Sequence, residues 1–207
     1  MKLQTAVLAG ATVALALTST HGASPRADYK PPAAGSTWVQ QTRNSGSYGD
    51  GVSESQVRMR RTVWKGQDAL AFESAQGTLV ERDAQWLATL APDGKPAMTW
   101  DPPIGWDWPL EVGKSWKRKY SVTIHAQGVT VSGEYTGTVD AFEDVTVPAG
   151  TFKAFRVSTS DTLGINDTTW WSPELGIVLK RVLVRTEKNA VGPGRRETVV
   201  KTVGAAR

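Results

Sequence analysis

The chain has no cysteine and only two histidines among its 207 residues. That excludes disulfides, thiolate metal ligands, a cysteine nucleophile and the lipid-bearing cysteine of a bacterial lipoprotein. His21 belongs to the leader described below, which leaves His125, and no Gly-x-Ser-x-Gly elbow accompanies it to frame a Ser-His-Asp site. A transition-metal centre would need mostly carboxylates, which those ions rarely choose alone. Calcium-loop spacing and a phosphate-cradling glycine loop are also missing. Neither a metal nor a cofactor is expected, and the chain reads as a binder rather than an enzyme.

Excess charge is scarce too. With 24 basic and 20 acidic residues the net charge is +4, and the basic residues are dispersed rather than gathered in a tail. No nucleic-acid partner is expected. Long apolar runs are absent apart from residues 6–17, which follow Lys2, carry no charge and are shorter than the roughly 20 residues a spanning helix needs. Residues 1–23 therefore read as a signal peptide, and the mature chain as periplasmic or secreted, without a stable membrane anchor. Residues 24–35, "SPRADYKPPAAG", read as a Pro/Ala/Gly-rich linker. Residues 36–207 form a single β-rich domain, about 170 residues long and large enough to bury roughly 70% of its unfolded surface.

What is present is strand periodicity. Tyr120, Val122, Ile124 and Ala126 alternate with polar residues, Gln127-Gly128 turns the chain, and Val129, Val131, Tyr135 and Val139 resume the alternation. This is a hairpin with one face toward a core, and it places His125 on the polar face. Similar short runs recur between "GDG", "KGQD", "PDGK", "PAGT" and "PELG" breaks, while "AQWLATLA" alone could take a helical turn. The fold class is all-β, mainly antiparallel: a curved meander sheet forming a half-open or closed barrel. Near Ile177, Leu179 and Leu183 both strand faces are apolar, so the sheet must be covered or curved around something. A weak echo links "STWVQQ" and "VWKGQDALAFES" to "KSWKRK" and "VPAGTFKAFRVSTS", as two related meanders would.

Residues 100–116, "WDPPIGWDWPLEVGKSW", hold four of the nine tryptophans. Trp116 opens an alternating strand and reads as core. Trp106 and Trp108 are two apart between prolines and project to one side of an extended segment, with Asp107 on the other. Trp170 and Trp171 point to opposite faces of one strand. Trp100, Trp106, Trp108, Trp170 and Trp171 are the candidate ligand contacts. Asp101 with Asp107, and Glu143 with Asp144, are carboxylate pairs near aromatic segments, and a glycoside-active site in residues 100–116 would use Asp101 or Asp107. "VRMRR" and "LKRVLVR" alternate basic with apolar residues, as a solvated face or a cationic patch for anionic envelope material would.

"PLEVGKSW", "VTVPAGTFKAFRV" and "TTWWSPELGIVLKR" follow one another in an order that resembles uncharacterised bacterial exported proteins of β-rich, LolA/LolB-like half-barrel type. In that group a VPAGTF turn and a WWxPxxG turn each precede a strand. The resemblance implies a concave sheet that holds acyl chains or other apolar groups. The function expected is therefore a non-enzymatic exported protein that binds a hydrophobic or lipid-like envelope ligand in a curved-sheet cavity. The alternatives are a protein- or polymer-interaction module of the envelope and a carbohydrate-binding or glycoside-active protein.

Overall fold

Alternation of apolar and polar residues, broken every several residues by a turn, dictates short strands with two distinct faces. The computed structural model describes residues 24–204, and the signal peptide expected over residues 1–23 lies outside them. The strands are β1 (Arg26–Ala27), β2 (Thr37–Gly46), β3 (Gly51–Trp64), β4 (Gln67–Ser74), β5 (Gly77–Arg82), β6 (Gln85–Leu90), β7 (Pro96–Gly105) and β8 (Leu110–Glu111). They continue as β9 (Ser115–Ile124), β10 (Val129–Val147), β11 (Gly150–Asp161), β12 (Ile165–Ser172), β13 (Ile177–Arg185) and β14 (Gly194–Gly204).

The short strands β1 and β8 pair with each other. The other twelve form a closed antiparallel barrel: each pairs with the next along the chain, β7 passes to β9, and β14 returns to β2. Of the two forms expected, the sheet takes the closed one, which leaves no barrel strand with a free edge. The helical alternative for "AQWLATLA" gives way to β6. The expected hairpin is β9–β10, turning through His125–Gln127 with Gly128 in the left-handed region at φ 63°. His125 differs from expectation. β9 ends at Ile124, so the imidazole lies in the turn, with Nε2 3.1 Å from Thr99 Oγ1.

Because successive strands reverse direction, the connections sort to two ends. One end, the plugged end, carries residues 106–114 between β7 and β9, the turns after β3, β5, β10 and β12, and the approach to β2. The opposite end, the rim, carries the turns after β2, β4, β6, β9, β11 and β13. Residues 24–35 lie along the plugged end. Pro32 is buried there, Gly35 N–H donates to Met59 O at 3.0 Å, and a Cβ on Gly176 would fall 2.5 Å from the Lys30 carbonyl oxygen.

The β10–β11 hairpin outruns its neighbours. β9 pairs with β10 only as far as Thr138, and β12 pairs with β11 only from Phe155, so residues 143–154 pair with one another alone. A bulge between Val139 and Ala141 bends this arm. Its Val145, Val147 and Ala154 pack on Trp38, Val57, Ile177, Leu179 and Val200, and Ala149 N–H donates to Val200 O at 3.3 Å. A second cluster gathers Leu110, Trp116, Tyr120, Tyr135, Val139, Phe155, Val157 and Trp171.

Trp116 and Tyr120 of β9 stand opposite Gly137 and Gly133 of β10, and both are buried. The glycines make room for the rings: a Cβ on Gly137 would lie 2.3 Å from Trp116 Cε2 and Cζ2, whereas one on Gly133 would lie 3.1 Å from Tyr120 Cε1. Gly137→Ala should therefore destabilise the barrel by about 1–3 kcal/mol in denaturant unfolding. Gly133→Ala should cost clearly less, and equal losses at the two positions would contradict this packing.

Candidate functional site

At the plugged end aromatic rings converge. The Trp108 ring centroid is 4.9 Å from that of Trp171, 5.8 Å from Trp106 and 5.2 Å from Tyr29. Trp100 lies 5.9 Å from Trp86. The connection that carries Trp106 and Trp108 is pinned inward by polar contacts. Tyr135 Oη accepts from Gly105 N–H at 3.1 Å and donates to Gly105 O at 2.8 Å, and Gln85 Nε2 donates to Trp106 O at 2.9 Å. Buried Leu110 follows. The Trp108 indole N–H is buried and has no partner among the described residues.

Next to this cluster the Tyr29 hydroxyl donates to Glu81. Glu81 is 8% exposed. Burial pushes its carboxyl up to about 7, against the opposing pull of the Tyr29 hydrogen bond. Burial, and then the charge of Glu81, holds the Tyr29 hydroxyl above the usual phenol range. The segment leading into β2 is thus fastened to the barrel by one ring contact and one carboxylate.

Toward the rim the interior turns polar. The ladder carries one face around the wall, from Asn44 through Arg196, Leu183, Asp167 and Thr159 to Gly137 and Trp116. A parallel course runs from Thr42 through Thr198 and Arg181 to Thr169. Arg181 grips Asp167 with two nitrogens, Nε at 3.0 Å and Nη2 at 2.7 Å, and its Cζ lies 4.8 Å from the Trp86 ring centroid. β13 and β6 are six places apart in the twelve-strand order. This contact therefore spans the barrel between opposite walls. Closer to the opening, Arg185 and Arg196 both lie over Tyr48, with Cζ 3.9 Å and 4.6 Å from its centroid. Burial, together with the like charges of Arg181 and Arg185, pulls Arg196 below the usual arginine range.

Four of the five tryptophans proposed from sequence share one cluster: Trp171 is in its core, and Trp100, Trp106 and Trp108 pack against it partly exposed. Trp170 does not join them. Its indole N–H donates to Glu143 Oε1 at 2.9 Å, and the Lys180 ammonium lies 5.2 Å from its ring. Asp101 and Asp107 do not meet. Asp107 is held by Arg118 at 2.6 Å and Lys114 at 3.4 Å, while exposed Asp101 follows Trp100 and so faces away from it across β7. Sequence reading missed Tyr29, Glu81, Tyr48, Trp86, Asn44 and Arg196. For Arg181 and Arg185 the signal was there: both share period-two phase with Leu179 and Leu183 in "LKRVLVR", which places them with the interior set.

No family model matches the chain, and no curated protein does. Among solved structures it is similar to one described as an exported protein with a YmcC-like fold from Bacteroides fragilis. Identity is 12% over 86% of this chain and 100% of that one, with a TM-score of 0.49. It is also similar to one described as a lipoprotein from Parabacteroides distasonis, at 10% identity over 86% and 99% of the two chains and a TM-score of 0.45. A third is the hypothetical lipoprotein YmcC from Escherichia coli, at 11% identity over 81% and 85% and a TM-score of 0.41.

Glu81 has a folded-state pKa of about 7, above its ordinary value of 4.5. Its contribution to stability is thus fully present below pH 4.5 and lost as pH rises through about 7, a loss on the order of 3 kcal/mol. Denaturant unfolding of the wild type between pH 4.5 and 8 should show that decline relative to Glu81→Gln. Parallel pH profiles for the two proteins would mean that Glu81 ionises as freely in the fold as in the unfolded chain.

Proposed function

We propose that the chain is a non-enzymatic exported protein of the cell envelope that holds a hydrophobic or lipid-like ligand within its barrel. The observation that carries this reading is that Trp86, Trp100, Trp106 and Trp108 keep part of their surface accessible although they belong to the interior face or its plug. Side chains just fill an eight-stranded barrel, and this wall has twelve strands. Partly covered indoles inside such a wall offer an apolar ligand a large, rigid contact area at little entropic cost. The leader in residues 1–23 supports export, and the half-barrel resemblance supports an apolar ligand class.

A polymer-docking reading has one observation of its own. Arg58, Arg60 and Arg61 of β3 line a surface groove beside Ala34 and Gly35, and of the three only Arg60 has an acidic partner, Glu73, among the described residues. An anionic envelope polymer would find two unpaired guanidinium groups there.

Expression of residues 24–207 in a bacterial periplasm, gentle purification, native mass spectrometry and lipid extraction separate these readings. Under the first, an apolar molecule co-purifies in stoichiometric amount and quenches or shifts tryptophan emission when it is added back. Trp108→Ala should then weaken retention of an apolar fluorescent probe by about tenfold. A clean protein that also fails to take up the probe would remove the lipid-like ligand.

A further inference from the structure

Arg181, Arg185 and Arg196 bring three guanidinium groups to the rim half of the barrel, and Asp167 is the only carboxylate within 4.0 Å of any of them among the described residues. Gathering like charges is unfavourable unless something in the fold or a ligand compensates them. Asp167 compensates Arg181, because a carboxylate has two oxygens and the Arg181 fork takes both. Arg185 and Arg196 have no such partner.

These two side chains are nevertheless held in place. Arg185 lies over Tyr48 and donates from Nη1 to Ser47 O at 3.0 Å. Arg196 lies over the same ring and donates from Nε to Asn44 Oδ1 at 2.9 Å. Tyr48 is fixed in turn by its neighbour, because Ser47 N–H donates to Pro193 O at 2.9 Å and Ser47 Oγ donates to Gly192 O at 2.7 Å. The turn after β2 and the connection after β13 are thereby stapled together around the ring. Nε and Nη2 of Arg185 and both Nη groups of Arg196 donate to no protein acceptor among the described residues, and none of them is sealed from solvent. Free surface arginines would lose rotamer entropy by stacking in this way. Here the stacking presents unused donors in a fixed arrangement, as a binding site requires.

We infer that the rim of the barrel is a binding site for a phosphate group, held by the unpaired guanidinium groups of Arg185 and Arg196 beside Tyr48. A carboxylate would satisfy one fork, as Asp167 does for Arg181. Two forks and two uncompensated charges call for an acceptor with three terminal oxygens and up to two negative charges, which is a phosphate monoester. Such a group can come from a soluble phosphorylated molecule or from the headgroup of a lipid. The site goes beyond the apolar ligand proposed above and does not need it, so a protein that purifies free of lipid leaves this inference intact.

Inorganic phosphate titrated into the wild-type protein at low salt should bind saturably and shift the Nε–H resonances of Arg185 and Arg196, but not that of Arg82, which donates to Asp68 O. Arg185→Gln and Arg196→Gln should each weaken binding by about tenfold, whereas Arg82→Gln should leave it unchanged. The wild-type resonances decide the matter should either rim variant fail to fold. Flotation with phosphatidylcholine vesicles, with and without phosphatidic acid, separates the sources. Binding that needs phosphatidic acid and is lost in Arg196→Gln supports the site with a lipid headgroup, and phosphate binding without vesicle binding supports it with a soluble ligand. No saturable phosphate binding, or binding that both rim variants retain, would overturn it.

Discussion

The hydrogen bonding of β14 to β2 is the constraint on which the rest of this molecule depends. Twelve consecutive strands that merely paired in order would make an open, twisted sheet with two long edges. The return of the last strand to the first removes both edges and gives every barrel residue a defined side, interior or exterior. Only then do residues far apart in sequence become neighbours across a lumen. Arg181 on Trp86 is one such pair, and the β10–β11 arm packed on Trp38 and Val200 is another.

The interior that closure creates is not uniform along the barrel axis. Toward the plugged end it is aromatic and aliphatic, and the connection through Trp106, Trp108 and Leu110 is tied inward by Tyr135 and Gln85. Toward the rim it holds guanidinium groups, the carboxylates of Asp167 and Asp161, and several threonines. The transition falls where Arg181 spans the two walls. An ion pair in that position contributes little net stability, because desolvation opposes its Coulomb attraction. What it does is fix the separation of opposite walls and mark the boundary between an apolar and a cationic compartment.

Much of this fold was legible in the sequence, because strand alternation and turn chemistry are local. The β9–β10 hairpin, the Gly128 turn and the burial of Trp116 all follow from residues within a few positions of one another. The echo between "STWVQQ" and "KSWKRK" acquires a structural meaning. Trp38 and Trp116 open β2 and β9, the first strands of two consecutive six-strand runs, and both are buried. The turns before β4 and β11 hold the matching second halves of the echo. The rim site was not legible for a physical reason. Tyr48, Arg181, Arg185 and Arg196 come from three separate stretches, and a basic residue in a strand signals a solvated face unless closure is known to turn that face inward. Glu81 was hidden in the same way, since its partner Tyr29 lies 52 residues away in a segment whose composition reads as a linker.

The two ends also differ in what holds them together, and this bears on how a ligand would enter. At the plugged end the segment before β2 is strapped across the opening by β1–β8 pairing, by Tyr29 on Trp108 and by the close approach of Lys30 to Gly176. Opening that end would break a strand pairing, an aromatic contact and a buried carboxylate bond together. At the rim, the staple through Ser47 joins two turns to each other without covering the guanidinium groups, whose free nitrogens remain in contact with solvent. Access past the arginines leaves the contacts of the plugged end intact and has the Arg181–Trp86 contact to displace. A ligand with an anionic group and an apolar body, as both proposals together would require, would meet charge first and aromatic surface last, and in that order the field at the rim would orient it before the tryptophans held it.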